Sequence, residues 1–162
     1  MSKIHVIGAG LSGMAAAYFC KKQLSNRVYL YDPGDKKGAS FVGAGLLHPF
    51  VGPKALLSEK GMESMEVTAL LLEVAKQAQQ QDNREKIILG RGLYRLAMNE
   101  FQKNMLDRWC RRYGSYVEKV DSTTLDKQGT LKNVLGVYKI KEGRSINMEL
   151  YLEGLKNAFL DS

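Results

Sequence analysis

Three glycines near the start of the chain have the spacing of a phosphate-binding turn. Gly8, Gly10 and Gly13 form a Gly-x-Gly-x-x-Gly pattern, and Asp32 follows Gly13 by nineteen residues. The glycine spacing alone is weak evidence, but an acidic residue about 20 residues further on is typical of dinucleotide-binding units. These residue types therefore indicate a nucleotide held by backbone amides and one carboxylate.

Each residue of the glycine motif has a physical role in such a site. Gly8 permits the tight turn, Gly10 lets the backbone approach a pyrophosphate, and Gly13 lets the following helix pack closely on the strands. The backbone N–H groups of Leu11 and Ser12 lie where the positive end of a helix dipole would favour phosphate.

The flanking sequence predicts the strand–helix–strand unit that positions this motif. Residues 3–7 predict a buried strand that includes His5 as a structural residue, helix formers continue from Leu11 to about residue 24, and residues 27–31 predict a second strand. Asp32 stands at the end of that strand, where it would accept hydrogen bonds from a ribose diol and repel a 2′-phosphate. We therefore predict an α/β, Rossmann-like unit, for which NADP is disfavoured as the ligand.

A long loop of small residues and a mixture of helices and strands follow. The loop runs from Asp32 to about Lys54, and loops of this length in compact domains are more often functional than accidental. Beyond it we predict a helix over about 58–81, short strands at 87–89 and 93–96, a helix capped by Asn99, a strand over 134–140 and a last helix capped by Asn147. Phe101, Met105 and Trp109 form the apolar face of the Asn99-capped helix, with Trp109 as a core anchor.

Composition and charge are those of an ordinary folded domain. At 162 residues, 44% apolar and 25% charged, the chain matches the average of globular domains. It has neither an apolar run of roughly 18 residues nor a signal-peptide pattern, so no membrane partner and a cytoplasmic location are expected. Cys20 and Cys110 lack a CxxC or His cluster, so neither a metal site nor a disulfide is predicted. The net charge of +7 is scattered, which favours a solvated surface over nucleic-acid binding.

The loop after Asp32 carries a resemblance to a known family. An NAD domain would usually continue from the acid into a crossover helix and strand, whereas this chain has Gly38-Ala39-Ser40 and then Ala44-Gly45-Leu46-Leu47-His48-Pro49. With the glycine motif, these residues resemble in order and spacing the flavin-binding pattern of FAD-dependent oxidoreductases of the D-amino-acid oxidase and glycine oxidase type. Segments 92–97 and 147–155 also resemble elements of that family, so the resemblance spans nearly the whole chain.

The resemblance implies a set of cofactor-binding positions that runs from the pyrophosphate to the flavin. They are Gly8, Gly10, Leu11, Ser12 and Gly13 at the pyrophosphate, Asp32 and Pro33 near the ribose, Ala39 and Ser40 facing the phosphates, Ala44, Gly45 and Leu46 along the flavin, and His48 near the isoalloxazine ring. A loop hydrogen bond is the simpler role for His48 than a redox role. Arg91 and Arg95 could lie on the substrate side, with ion pairing as the simpler alternative, and no catalytic residue is assigned.

The resemblance further implies FAD as the cofactor and an enzyme that oxidises a small amine or amino acid by hydride transfer to the flavin. It implies that the chain is the N-terminal half of such an enzyme, with 1–55 as the βαβ unit and flavin loop, 56–145 as an insertion toward an α+β substrate domain, and 146–162 as a helix returning to the FAD domain.

Two alternatives remain open. One is a non-catalytic nucleotide-binding chain that requires a partner chain, or that associates with itself at an unpaired sheet edge. The other is the flavin domain of a tRNA-modifying enzyme, for which the basic charge would suit RNA.

Overall fold

The computed structural model describes residues 2–24, 27–52, 55–125 and 132–162. In chain order the strands are β1 Lys3–Ile7, β2 Arg27–Tyr31, β3 Leu46–Leu47, β4 Phe50–Val51, β5 Leu56–Leu57, β6 Ile88–Ala97, β7 Val117–Val120 and β8 Gly136–Ile146. The helices are α1 Leu11–Leu24, α2 Ala39–Val42, α3 Gly61–Gln77, α4 Gln81–Arg84, α5 Glu100–Arg112 and α6 Met148–Asp161, with a 3₁₀ turn at Ser122–Thr124. The chain divides into two compact units, Met1–Gly45 with Glu63–Leu89 and Ile146–Ser162, and Leu46–Met62 with Gly90–Ser145.

The first unit contains the predicted strand–helix–strand arrangement. β1 and β2 pair in parallel, from Lys3 opposite Arg27 to Ile7 opposite Tyr31. Parallel strands need a crossover, which α1 supplies. The predicted bounds of all three elements are confirmed.

Helices α1, α3 and α6 provide the core of the first unit. Met14 and Leu155 are fully buried. Gly154 of α6 lies so close to α3 that a Cβ on it would overlap the Ala75 carbonyl oxygen and approach the Ala75 Cβ to 2.9 Å. Buried Gln79 donates hydrogen bonds to the Leu150 carbonyl oxygen and to a Glu153 carboxylate oxygen, both at 3.0 Å. The predicted cap of α6 is confirmed, since the Asn147 side chain accepts from the Leu150 N–H.

The second unit is built on a sheet with the order β3-β8-β6, in which β8 pairs in antiparallel with β3 and also with β7. Its core surrounds Trp109, which is 3% exposed and packs edge-on against Phe50 with ring centres 4.9 Å apart. The Asn99 side chain accepts from the Gln102 N–H at 2.9 Å, as the capping pattern predicts. This hydrogen bond confirms the predicted start of α5, and the low exposure of Trp109 confirms its predicted position in the core.

Several expectations about burial were wrong. β1 is not a buried strand: its exposure alternates, Ile7 is 89% exposed, and His5 is exposed and stacked on Tyr29 and Tyr31. An apolar run cannot distinguish a strand covered on both faces from one covered on a single face. Phe101 is 79% exposed, so the apolar face of α5 is only partly buried.

Several element boundaries also differ from the predictions. The two short strands around Gly90-Arg91-Gly92 are one strand, β6, because pairing with β8 outweighs the turn preference of the glycines. The predicted 58–81 helix is α3, which ends at Gln77 and is followed by the one-turn α4. The 32–54 loop contains α2, β3 and β4, while β7 was not predicted and β8 extends to Ile146. The end of that loop at Lys54 lies outside the described residues.

In the described part of the chain, no helix combines the length and apolar composition needed to cross a bilayer.

Candidate functional site

The glycine motif forms the turn between β1 and α1. Gly8 has φ +95°, which favours glycine, and its N–H donates to the Tyr31 carbonyl oxygen at 2.7 Å. A Cβ on Gly13 would overlap the Gly8 carbonyl oxygen, so glycine is needed for α1 to start this close to the strand end. A Cβ on Gly10 would instead meet only the Ser40 side chain, with its Oγ at 2.9 Å.

The first turn of α1 presents backbone donors beside this turn. The Leu11 N–H donates to Ser40 Oγ at 3.1 Å. Helix geometry leaves the next N–H groups without acceptors inside the helix, and none is found for those of Ser12 and Gly13 among the described residues. The first turn has no acidic residue to offset the helix dipole. The backbone N–H groups of this first turn could therefore bind an anion. One of them, that of Leu11, already donates to the Ser40 hydroxyl.

Asp32 folds back from the end of β2 onto the glycine turn. Its Oδ2 accepts from the Ala9 N–H at 2.7 Å and its Oδ1 from the Gly34 N–H at 2.8 Å. These backbone hydrogen bonds, that of Ala9 first, hold the pKa of Asp32 below its ordinary value, so the carboxylate is ionised at neutral pH. Each oxygen keeps a lone pair on an exposed side chain, and can accept further hydrogen bonds from a ligand diol.

A cleft of about 330 Å³ lies beside Asp32. Its apolar lining comes from Met14, Leu30, Phe41 and Leu152, and its polar lining from Asp32, Lys36, Glu149, Glu153 and Lys156. Lys36 forms an ion pair with Glu149, which raises the pKa of Lys36. Sequence reasoning missed the α6 residues of this cleft because they lie more than a hundred residues beyond the glycine motif and share no pattern with it.

The other positions near the ribose and phosphates are exposed or nearly so. Pro33 borders a second, open depression of about 540 Å³ with Ile7, Gly8, Tyr31 and Asp32. Ala39 begins α2 and is exposed, whereas Ser40 is partly buried. The structure therefore brings the glycine motif, Asp32 and Ser40 together within the first unit.

The positions expected along the flavin fall in both units. Ala44 is exposed, and Gly45 has φ +64° with its carbonyl oxygen accepting from the Ile146 N–H at 2.8 Å. A Cβ on Gly45 would overlap the Ile146 carbonyl oxygen. Leu46 begins the second unit, pairs with Ser145 and is 59% exposed.

His48, also in the second unit, is half-buried. Its Nδ1 accepts from the Phe50 N–H at 3.3 Å, a hydrogen bond within the loop. Burial first, and then the positive charge of Arg95, lower the pKa of His48. The imidazole is therefore neutral at pH 7. Arg95 itself lies over the Trp109 ring, with its guanidinium carbon 5.8 Å from the ring centre.

Comparison with known proteins places this geometry in context. The family model for FAD-dependent oxidoreductases (DAO) matches residues 3–162, and no curated protein sequence matches the chain. Among solved structures, glycine oxidase from Geobacillus kaustophilus is 19% identical with a TM-score of 0.74, over 99% of this chain and 45% of that one. Glycine oxidase from Bacillus cereus ATCC 14579 is 17% identical with a TM-score of 0.74, over 99% and 44%.

A third similar structure is the L-α-glycerophosphate oxidase from Mycoplasma pneumoniae with FAD bound, 16% identical with a TM-score of 0.66, over 99% of this chain and 43% of that one. At these identities the likeness is one of fold, and the predicted FAD-binding α/β fold is confirmed. The chain spans less than half the length of these structures.

Proposed function

Because this chain belongs to the DAO family of FAD-dependent oxidoreductases, we propose that it holds the ADP part of FAD and serves the oxidation of a small amine or amino acid. Glycine oxidases are among the structures with the same fold, which favours an amine-bearing substrate. When bound, FAD supplies the hydride acceptor for such an oxidation. The residues of this chain supply binding and orientation.

The observation that carries the proposal is the junction of the glycine turn with Asp32 and Ser40. Asp32 Oδ2 accepts a hydrogen bond from the Ala9 N–H at 2.7 Å, and Ser40 Oγ accepts one from the Leu11 N–H at 3.1 Å. A diphosphate would replace the Ser40 hydroxyl on the helix amides or share them with it, while Asp32 would accept from the ribose diol. Only the Ser40 side chain lies within 4 Å of the position that a Cβ on Gly10 would take, so the backbone is open to that approach once the Ser40 hydroxyl moves, and the residues present fit the cofactor.

The flavin side of the proposal rests on Ala44, Gly45 and Leu46, and on His48. We propose that the backbone of Ala44 to Leu46 runs along the flavin, as the resemblance in order and spacing implies. Glycine at position 45 is itself explained by its φ of +64° and by the Ile146 carbonyl oxygen, which a Cβ would overlap. His48, neutral and bonded to the Phe50 amide, would hold the shape of this loop rather than carry a proton. No residue of the chain is assigned to anchor a substrate carboxylate.

A second candidate function, a FAD-binding chain that requires a partner chain, is favoured by the exposed face of β1 and β2. Ile7, Tyr29 and Tyr31 are 89%, 39% and 51% exposed on that face. Exposed apolar surface on a short parallel pair is typical of a surface that another segment covers.

FAD retention tests the proposed function directly. The purified chain is mixed with FAD, passed through gel filtration, and the flavin absorbance of the protein peak is measured. We expect one flavin per chain in the wild type and much less in Gly10→Ala. The matched control is Gly90→Ala, where an added Cβ likewise meets only a serine side chain, Ser145 Oγ at 3.0 Å, and which should retain FAD as the wild type does.

Equal retention by the wild type and Gly10→Ala would refute binding at this turn. If the wild type retains no FAD alone but does so in a complex with another chain, the second candidate is correct. Retained FAD makes assays of amine and amino-acid oxidation, with glycine as the first substrate, the next measurement.

A further inference from the structure

A pocket that the flavin proposal does not use lies on α5, within the second unit. We call it the α5 pocket; its volume is about 390 Å³, and its principal lining residues are Leu56, Phe101, Met105, Arg108, Trp109 and Arg112. On α5, residues 101, 105, 109 and 112 are three or four positions apart, as are residues 105, 108 and 112, so all five share one face of the helix. This volume lies in the range of small-molecule sites.

The lining of the α5 pocket is apolar and accessible. Phe101 is 79% exposed and Leu56 is 47% exposed, although both are large apolar side chains. Trp109 contributes the buried wall through a ring that also packs on Phe50. An aromatic ring placed here would remove apolar surface of both partners from water.

Two arginines border the apolar lining. Arg108 and Arg112 are one helical turn apart, a rise of about 6 Å. In the part of the chain that the structure describes, neither has a carboxylate oxygen within 4.0 Å, whereas Lys103, on the same helix, pairs with Glu100. Guanidinium groups bind carboxylates through paired hydrogen bonds. The pocket therefore presents positive charge that the described residues do not neutralise.

The indole nitrogen of Trp109 is separate from the accessible surface of the pocket. This atom, Nε1, is buried and has no acceptor among the described residues. Buried donors without acceptors are rare in folded proteins because their lost hydration is not replaced. Because this nitrogen is buried even with the pocket empty, it reports on the packing around the indole and not on the occupant of the pocket.

We propose that the α5 pocket binds a small aromatic carboxylate, with its ring against Phe101 and Met105 and its carboxylate between Arg108 and Arg112. A simple anion such as phosphate would leave the apolar lining in water. A neutral aromatic molecule would leave the two cations unpaired. The combination of an apolar wall and two cations matches a ligand that has both parts.

Binding to the α5 pocket can be measured by the fluorescence of Trp109, because it is the only tryptophan in the sequence. The probe is 2-naphthoate, titrated into the full chain before and after FAD is added, with 2-naphthalenemethanol as the uncharged counterpart. We expect saturable quenching of Trp109 by 2-naphthoate and affinity at least about tenfold lower for the alcohol, since the alcohol cannot form the charge-assisted bonds.

Substitutions locate the site. Arg108→Gln and Arg112→Gln should each lower the 2-naphthoate affinity about tenfold, while Arg108→Lys should lower it less. The matched control is Arg111→Gln, which removes the same charge from the same helix at an exposed position outside the pocket. FAD retention should be unchanged in all four variants, which separates this site from the nucleotide site.

Three results of the titrations would overturn the proposal. They are the absence of saturable quenching, equal affinity for 2-naphthalenemethanol, and an equal loss of affinity in Arg111→Gln, which would indicate a diffuse effect of charge. Gel filtration that shows a dimer dissociated by Phe101→Ser would likewise replace the ligand with a second copy of the chain as the occupant of the pocket.

Discussion

Replacing Gly13 with alanine should destabilise the fold, whereas replacing Gly10 should mainly weaken FAD binding. The Cβ added at Gly13 would overlap the Gly8 carbonyl oxygen and lie 3.0 Å from the carbonyl carbon, and neither backbone atom can rotate away. The Cβ added at Gly10 would meet Ser40 Oγ at 2.9 Å, and that hydroxyl can change rotamer. Both substitutions add the same methyl group, so any difference between their effects on stability is due to the local geometry.

The magnitude follows from two opposed effects. Forcing extra atoms into a packed site costs about 1–3 kcal/mol, and a contact with rigid backbone belongs at the upper end. Alanine recovers about 1 kcal/mol over glycine inside a helix. The free energy of unfolding of Gly13→Ala should therefore fall by about 2 kcal/mol, which corresponds to a melting temperature about 4–8 °C lower for a chain of this size.

Urea unfolding followed by Trp109 fluorescence and circular dichroism measures this change. Gly38→Ala is the control, since its Cβ would enter open space at a φ of −63°. If Gly13→Ala were as stable as Gly38→Ala, the close approach of α1 to the end of β1 would be wrong. If Gly10→Ala lost as much stability as Gly13→Ala, the assignment of Gly10 to ligand approach would lose its basis.

Three further predictions concern the packing and the charge of the site. Gly154→Ala should lower the free energy of unfolding by about 1–3 kcal/mol, because its Cβ would overlap the Ala75 carbonyl oxygen; wild-type stability in urea would contradict the helix contact. Asp32→Asn should weaken FAD retention about tenfold at neutral pH, measured by flavin fluorescence titration. The pKa of Asp32 in the folded chain is lowered from 3.8, so the carboxylate should contribute equally to FAD affinity from about pH 7 to pH 5. That contribution should be lost only as the pH falls through the lowered pKa, and a loss of affinity near pH 6 would argue against a role of Asp32. Phe50→Ala should cost about 3–5 kcal/mol and shift Trp109 emission to the red, since Phe50 is 2% exposed and packs on the indole; an unshifted emission would show that the core closes without it.

Short sequence patterns predicted much of the fold. The glycine motif and the apolar runs on either side predicted β1, α1 and β2, and Asn99 and Asn147 predicted where α5 and α6 begin. These features depend on residues a few positions apart, which determine backbone conformation and the first hydrogen bonds of a helix. The family resemblance rests on several short motifs of this kind, spread over nearly the whole chain, and the family match confirms it.

The pairing of distant segments could not be read from the sequence. β6 was predicted as two strands because Gly90 and Gly92 suggest a turn, and the exposed face of β1 could not be recognised from its apolar residues. The walls of the cleft beside Asp32 come from α6, and the α5 pocket depends on Leu56 lying beside a helix 45 residues or more away in the chain.

By itself the sequence determined the glycine turn, the acid that follows the second strand, and the family of the fold. Only the tertiary structure decided which faces of the strands and of α5 stay exposed, and which helix completes the cleft. The physical reason is that hydrogen bonding and helix capping act between near neighbours, whereas burial depends on which distant segment packs against a surface.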